Sequence, residues 1–264
     1  MSIKQSSSVD TAIFRYRSGY HEINALLAVP SVPTPMPAVL LAHDTDGLDE
    51  RLQGVAISLA EQGYTVLAPD FYTTKNGHAT ASGSLENRAT LRRNTPDAIA
   101  VSDLKNGLAY LKHQGLINTR RVAVVGFGFG GTLALLTAVQ LGELAAVVNF
   151  YGHTIYPPAD ISRVRPTSPL DVVGVVRCPI LSFYGTPGTG GISSHEVTSL
   201  EQTLKAKGKT FEIKSYPKAP NGFCGSNPDL YRADAASDAL SRTVTFLNKY
   251  LKTESLALVQ KGRI

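Results

Sequence analysis

A chain of 264 residues with 43% apolar residues and 23 glycines can bury a large core, which excludes a disordered chain or a small disulfide scaffold. Its 26 basic and 21 acidic residues leave a net charge of +5, scattered apart from pairs such as Arg92-Arg93 and Arg120-Arg121. Such pairs read as solvated surface, so no nucleic-acid partner is expected.

Two cysteines, Cys178 and Cys224, give no zinc spacing and at most one bridge. Met1 to Asp10 lacks the apolar stretch of a secretory signal, and no apolar run reaches the roughly 18 residues of a membrane span. A cytoplasmic protein without a membrane partner is expected.

In chain order, Ala12–Tyr16 and Ile23–Val29 read as a hairpin around Ser18-Gly19. Ala38–Ala42 is a buried strand that ends in the polar segment His43-Asp44-Thr45-Asp46-Gly47. Leu52, Val55, Ala56, Leu59 and Ala60 recur at helical spacing, Gly63 closes that helix, and Thr65–Ala68 is the next strand. The stretch from Tyr72 to Arg93 is rich in Gly, Ser, Thr and Asn and reads as a loop, part of a lid or a surface excursion.

Thr95-Pro96-Asp97 opens a helix with Thr95 as cap and Pro96 in the first turn, and Leu104, Leu108 and Leu111 share one face. Val122–Val125 is a strand that runs into Gly126-Phe127-Gly128-Phe129-Gly130-Gly131 and an apolar helix to Leu141. Strands at Ala146–Tyr151, Ile180–Tyr184 and Thr210–Tyr216 follow, with helices at Ser194–Lys207 and Asp229–Leu251. Alternating strands and helices of this kind build an α/β protein with a mostly parallel sheet and helices on both faces. One domain over residues 1–252 is expected, with 253–264 as a mobile tail.

Gly126, Gly128 and Gly131 also satisfy G-x-G-x-x-G between a strand and a helix, the local form of a dinucleotide site. Against that reading, no acid stands about 20 residues later to hold a ribose, and several strand-helix units precede the turn. The other reading is G-x-nucleophile-x-G, the tight turn on which α/β-hydrolases present their nucleophile. At its centre is Gly128, which has no side chain to present.

Ala42-His43-Asp44 with Gly47-Leu48, Leu59-Ala60, Gly63-Tyr64, Ala68-Pro69-Asp70-Phe71-Tyr72, Gly126 to Gly131, Phe150-Tyr151-Gly152, Phe183-Tyr184-Gly185 and Tyr216 to Phe223 occur in the order that resembles the dienelactone hydrolase family. The resemblance covers about residues 37–251 and implies an α/β-hydrolase fold. It also sets the nucleophile's place at Gly128, the acid's at Gly188 and the histidine's at Asn221, so the triad's three chemical groups are missing there. The last of six histidines is His195, and the first acid after Tyr184 is Glu196, on the next helix.

The oxyanion hole is backbone and outlives those changes; Phe129 would supply one N–H, and the segment around Thr45 and Asp46 the other. With Gly128 leaving room, a ligand carbonyl is expected to reach these donors, and the three vacated positions to line its pocket. Asp44, His153 and Tyr151 are the candidate catalytic groups. Asp44 matches a position where the family often has glutamate; it serves either as a desolvated acid or base, or as a turn cap that binds backbone amides. His43 reads as structural, and Cys224 has no histidine near it in sequence.

No cofactor or metal is expected, since no ligand cluster has a recognisable spacing. The expected partner is a small molecule with a carbonyl or similar oxyanion-forming group. Three functions compete: a cofactor-free, non-covalent enzyme of cyclase, isomerase or lyase type; a non-catalytic small-molecule binder or receptor; and a weak or rearranged ester or lactone hydrolase.

Overall fold

A computed structural model of the protein describes residues 3–6, 8–32, 35–74, 77–78 and 85–252. The elements in chain order are β1 (Ile3–Ser6), β2 (Val9–Ser18), β3 (His21–Pro30), β4 (Met36–Ala42), α1 (Glu50–Glu61), β5 (Thr65–Pro69), the short β6 (Thr73–Thr74) and β7 (Gly77–His78), α2 (Leu85–Asn94), α3 (Asp97–His113) and β8 (Ile117–Phe127). After these come α4 (Phe129–Gln140), β9 (Ala146–Phe150), α5 (Pro169–Val172), β10 (Ile180–Tyr184), α6 (Ser194–Ala206), β11 (Phe211–Ser215) and α7 (Ala233–Leu247).

Nine strands form one sheet in the order β1-β2-β3-β5-β4-β8-β9-β10-β11. From β5 to β11 every neighbouring pair is parallel, and β1, β2 and β3 add antiparallel pairs at one edge. The central strands are buried along their whole length, as with VLLA in β4 and VAVVGF in β8, because helices cover both faces. The chain leaves β4 towards β5 on one side and returns to β8 on the other. The carboxyl ends of β4 and β8 therefore flank a point where strand order reverses, the usual place for a site in such sheets.

The expected hairpin forms, with Ser18 opposite His21 and Gly19 at φ 60° in the turn. α1 buries Leu52, Val55, Ala56, Leu59 and Ala60, and Gly63 follows it at φ 81°. Three expectations need correction. The segment after Tyr72 contains α2, whose sequence LENRATLRRN is too polar to show an apolar stripe. Thr95 does not cap α3: its hydroxyl donates back to the Leu91 carbonyl (2.8 Å), and Pro96 takes the cap position without a side-chain bond. α7 starts at Ala233 rather than Asp229, because Asn227 Oδ1 accepts from the Asp229 amide and holds a turn there.

The lid expectation for Tyr72–Arg93 falls partly on 75–76 and 79–84, and the tail expectation on 253–264, all outside the described residues. Among the described residues no helix is long and apolar enough to cross a membrane.

Candidate functional site

At the end of β8 the chain turns into α4 through Gly128, held at φ 49° and ψ −116°, a backbone that side-chain-bearing residues rarely adopt. Small neighbours make the turn possible. A Cβ on Gly126 would meet the Gly130 carbonyl oxygen at 2.0 Å, and one on Gly130 would meet that of Ala42 at 2.1 Å. The elbow geometry is therefore present although its central side chain is not.

That side chain's space is filled from another strand. A Cβ on Gly128 would lie 2.1 Å from Asp44 Oδ2 and 2.2 Å from both Cγ and Oδ1, so the Asp44 carboxylate occupies the volume itself. Asp44 leaves the end of β4 in a turn in which its carbonyl accepts from the Gly47 amide (3.0 Å) with Gly47 at φ 78°. Its Oδ1 accepts from the amides of Thr45 (2.7 Å) and Phe129 (3.0 Å). These are the donors expected to hold a ligand oxygen.

The expectation of an open hole with room at Gly128 is thus corrected: the protein's own carboxylate sits in it. The same charge at the start of α4 occupies the amide a nucleotide phosphate would need, which counts against the dinucleotide reading. The turn-cap and acid roles weighed for Asp44 coincide in one group. Burial raises its pKa above the usual carboxyl range, while the Phe129 and Thr45 amides act in the opposite direction and only partly offset it.

Asp44, Asp46, Leu52, Phe127, Tyr151 and Cys224 line a cavity of about 20 Å³, room for about one water. Tyr151 is the sole described non-glycine residue at positive φ (41°), and burial pushes its phenol well above the usual range. Burial likewise pushes the Cys224 thiol up to about 12, which makes it a poor thiolate. His43 is fully buried: Nε2 accepts from the Phe71 amide (3.0 Å) and Nδ1 lies 2.6 Å from the Asp44 carbonyl, so the ring braces the turn that carries Asp44.

None of the three vacated positions, Gly128, Gly188 or Asn221, is among the residues lining this cavity. Gly188 sits at φ 84° with open space where a Cβ would be. Asn221 is tied into its own loop: Oδ1 accepts from the Gly185 amide (2.7 Å), Nδ2 donates to the Thr189 carbonyl (2.8 Å), and its amide donates to Thr189 Oγ1 (2.7 Å). The shared pocket expected of Gly128, Gly188 and Asn221 is therefore corrected, because a backbone clasp has taken Asn221 and Asp44 has filled the space beside Gly128. Asn221→Ala leaves the buried Gly185 amide unsatisfied and should cost about 1–3 kcal/mol. Denaturant unfolding measures the loss, and hydrogen exchange at Gly185 reports whether it is local.

His153, after β9, is absent from that cavity and pairs instead with Glu196 on α6, with Nδ1 3.4 Å from Oε2. The sequence offered both residues without a signal that they meet. It also missed Arg92, which was read as solvated surface: its guanidinium lies 5.1 Å from the Phe129 ring centre and its charge acts on Asp44. Arg165 faces the same ring at 5.9 Å and donates to the Arg92, Arg93 and Thr95 carbonyls, fastening the end of α2 to the start of α3. Among the described residues no group of three or more His, Cys, Asp or Glu side chains is gathered to hold a metal.

A mostly parallel sheet wrapped by helices, with a glycine-packed elbow at its strand-order switch, defines an α/β-hydrolase fold. The dienelactone hydrolase family model matches residues 23–251, and the chain belongs to that family. A protein of Methylorubrum extorquens, provisionally named carboxymethylenebutenolidase, is 29% identical over 86% of this chain and 77% of its own. Another from Bradyrhizobium sp., provisionally named 2-oxo-3-(5-oxofuran-2-ylidene)propanoate lactonase, is 28% identical over 86% of this chain and 89% of its own. A crystal structure from Klebsiella pneumoniae, provisionally described as a dienelactone hydrolase, has a TM-score of 0.85 at 25% identity and covers 92% of this chain and 100% of that one.

Proposed function

We propose that this member of the dienelactone hydrolase family acts on a small carbonyl compound by proton transfer, without a covalent acyl-enzyme, and that Asp44 is the acid–base group. One observation carries the reading: a carboxylate, not a nucleophile, fills the reacting position of the elbow, with Oδ1 on the two amides of the hole. Oδ2 has no hydrogen-bond partner among the described residues, so it is the oxygen that exchanges the proton.

Burial works against the charged form and the two amides favour it, a balance that suits a group which must both take and return a proton. Tyr151 supplies a wall and a phenol to the same cavity. A cyclase, isomerase or lyase type of reaction fits this set, since each needs a positioned base and none needs a nucleophile.

A second reading, a non-catalytic binder, is favoured by the small cavity and by donors already engaged. The names of the relatives favour a third, lactone hydrolysis. The experiment is product analysis on a panel of esters, lactones and enolisable ketones, run with the protein and with Asp44→Asn. Isomerised, cyclised or eliminated products that vanish in the variant support the proposal. Ligands bound and released unchanged favour the binder, and ring-opened acids formed equally well by the variant overturn the role given to Asp44.

A further inference from the structure

The cavity beside Asp44 has room for about one water, and Tyr151 borders it. The Tyr151 ring packs edge-on against Phe150 (81°) and Phe223 (66°), and its amide donates to the Phe183 carbonyl (2.7 Å), so the phenol is fixed in place. The residue is 4% exposed. The Cys224 amide acts on the phenol oxygen, but no hydrogen bond of ordinary geometry reaches the hydroxyl among the described residues. Burying a hydroxyl in this way is costly unless the cavity supplies an acceptor for its proton. Burial also holds the phenol's pKa well above the usual range, so it stays protonated and can only donate.

Asp44 borders the same cavity. Its charge acts on the Tyr151 phenol, yet the two side chains make no direct hydrogen bond. The Thr45 and Phe129 amides engage Oδ1 and leave Oδ2 to the cavity. A carboxylate oxygen and a hydroxyl coupled through space without touching, at a water-sized volume that both border, form a seat for one bridging water. A wider groove of about 390 Å³ adjoins the cavity and shares Asp49, Arg51 and Ser226 with it. The charge of Arg51 also reaches Tyr151. The cavity is too small for a carbonyl compound, and the groove is not.

These sizes divide the roles, water in the cavity and the organic part in the groove. Resting on the reading of Asp44 as the acid–base group, we infer that the reaction is the loss of water from a β-hydroxy carbonyl compound, with Tyr151 holding the departing oxygen. Asp44 Oδ2 takes a proton from the carbon next to the carbonyl, the C–O bond to the β-hydroxyl breaks, and a C=C bond forms. The hydroxyl leaves towards the Tyr151 O–H and takes the proton back from Asp44. One water is thereby released into the cavity, and both side chains end as they began. Run backwards, the same steps add water to an α,β-unsaturated carbonyl compound. Tyr151 touches the leaving oxygen and is a catalytic residue in this scheme.

The test incubates 4-hydroxypentan-2-one with the full-length protein, with Tyr151→Phe and with Asp44→Asn in deuterium oxide enriched in oxygen-18. Fragment masses read the hydroxyl oxygen apart from the carbonyl oxygen. Reversible loss of water places oxygen-18 in the hydroxyl and deuterium on the carbon between it and the carbonyl. Tyr151→Phe keeps the ring contacts and should slow oxygen-18 entry at least about tenfold while deuterium entry persists. Deuterium without oxygen-18 in the unmodified protein overturns the inference and leaves Asp44 its acid–base role. Neither label, or oxygen-18 entry as fast in Tyr151→Phe, overturns the inference as well. Deuterium entry undiminished in Asp44→Asn overturns the proposed function instead. The label pattern in the unmodified protein stands even if Tyr151→Phe fails to fold.

Discussion

Placing serine at position 128 will destabilise the protein and will not add ester hydrolysis. The new Cβ would lie 2.1–2.2 Å from three atoms of Asp44, at a backbone φ of 49°. Overpacking and left-handed strain together cost roughly 2–5 kcal/mol. The variant is expected to gain no hydrolysis, because Asn221 and Gly188 offer the new hydroxyl no base, and loss of a base alone costs a serine protease on the order of a millionfold.

The steric conflict also predicts coupling. Gly128→Ser with Asp44→Gly should lose less stability than the two single changes summed, by about 0.5–3 kcal/mol, in a double-mutant cycle of denaturant unfolding. Additive losses would mean that the two residues do not compete for one space.

Asp44→Asn will lower turnover by roughly 10²–10⁴, the usual contribution of a general acid–base group. Ligand binding will persist, because the amide oxygen of asparagine can still accept from Thr45 and Phe129. The same change will raise stability near neutral pH. Burial lifts the folded carboxyl's pKa above its unfolded value, so the folded state binds this proton more tightly.

The cost of the buried charge is therefore present at neutral pH and is relieved as pH falls through the folded carboxyl's range. The Asp44→Asn variant carries no such cost. Its advantage at pH 7 should shrink as acid is added. Comparing the variant with the parent protein across pH separates Asp44 from Asp97 and Asp103, whose carboxyls burial also raises.

The fold was legible because its signals are local. Runs such as VLLA and VAVV mark strands buried on both faces, and the glycines from Gly126 to Gly131 mark an elbow whose close packing tolerates nothing larger. The site was legible only as a set of names. Spacing puts Asp44 at the end of β4, but cannot show that its carboxylate crosses to the space beside Gly128, 84 positions away.

Glu196 carries a local capping signal that points to its own helix, and the structure turns its side chain to the loop after β9. Arg92 sits on a polar helix with no apolar stripe, so nothing in the sequence separates it from an ordinary surface arginine. Asn221 has a role that only the loop around Gly185 and Thr189 reveals.

The most direct measurement is intact-mass analysis of the folded protein after a fluorophosphonate, alongside its turnover of activated esters and lactones. The account predicts no phosphonyl adduct and no ester turnover above a denatured control, since Asp44 stands in the nucleophile's place. A single site-specific adduct with efficient hydrolysis would contradict it, and the modified residue would identify the nucleophile.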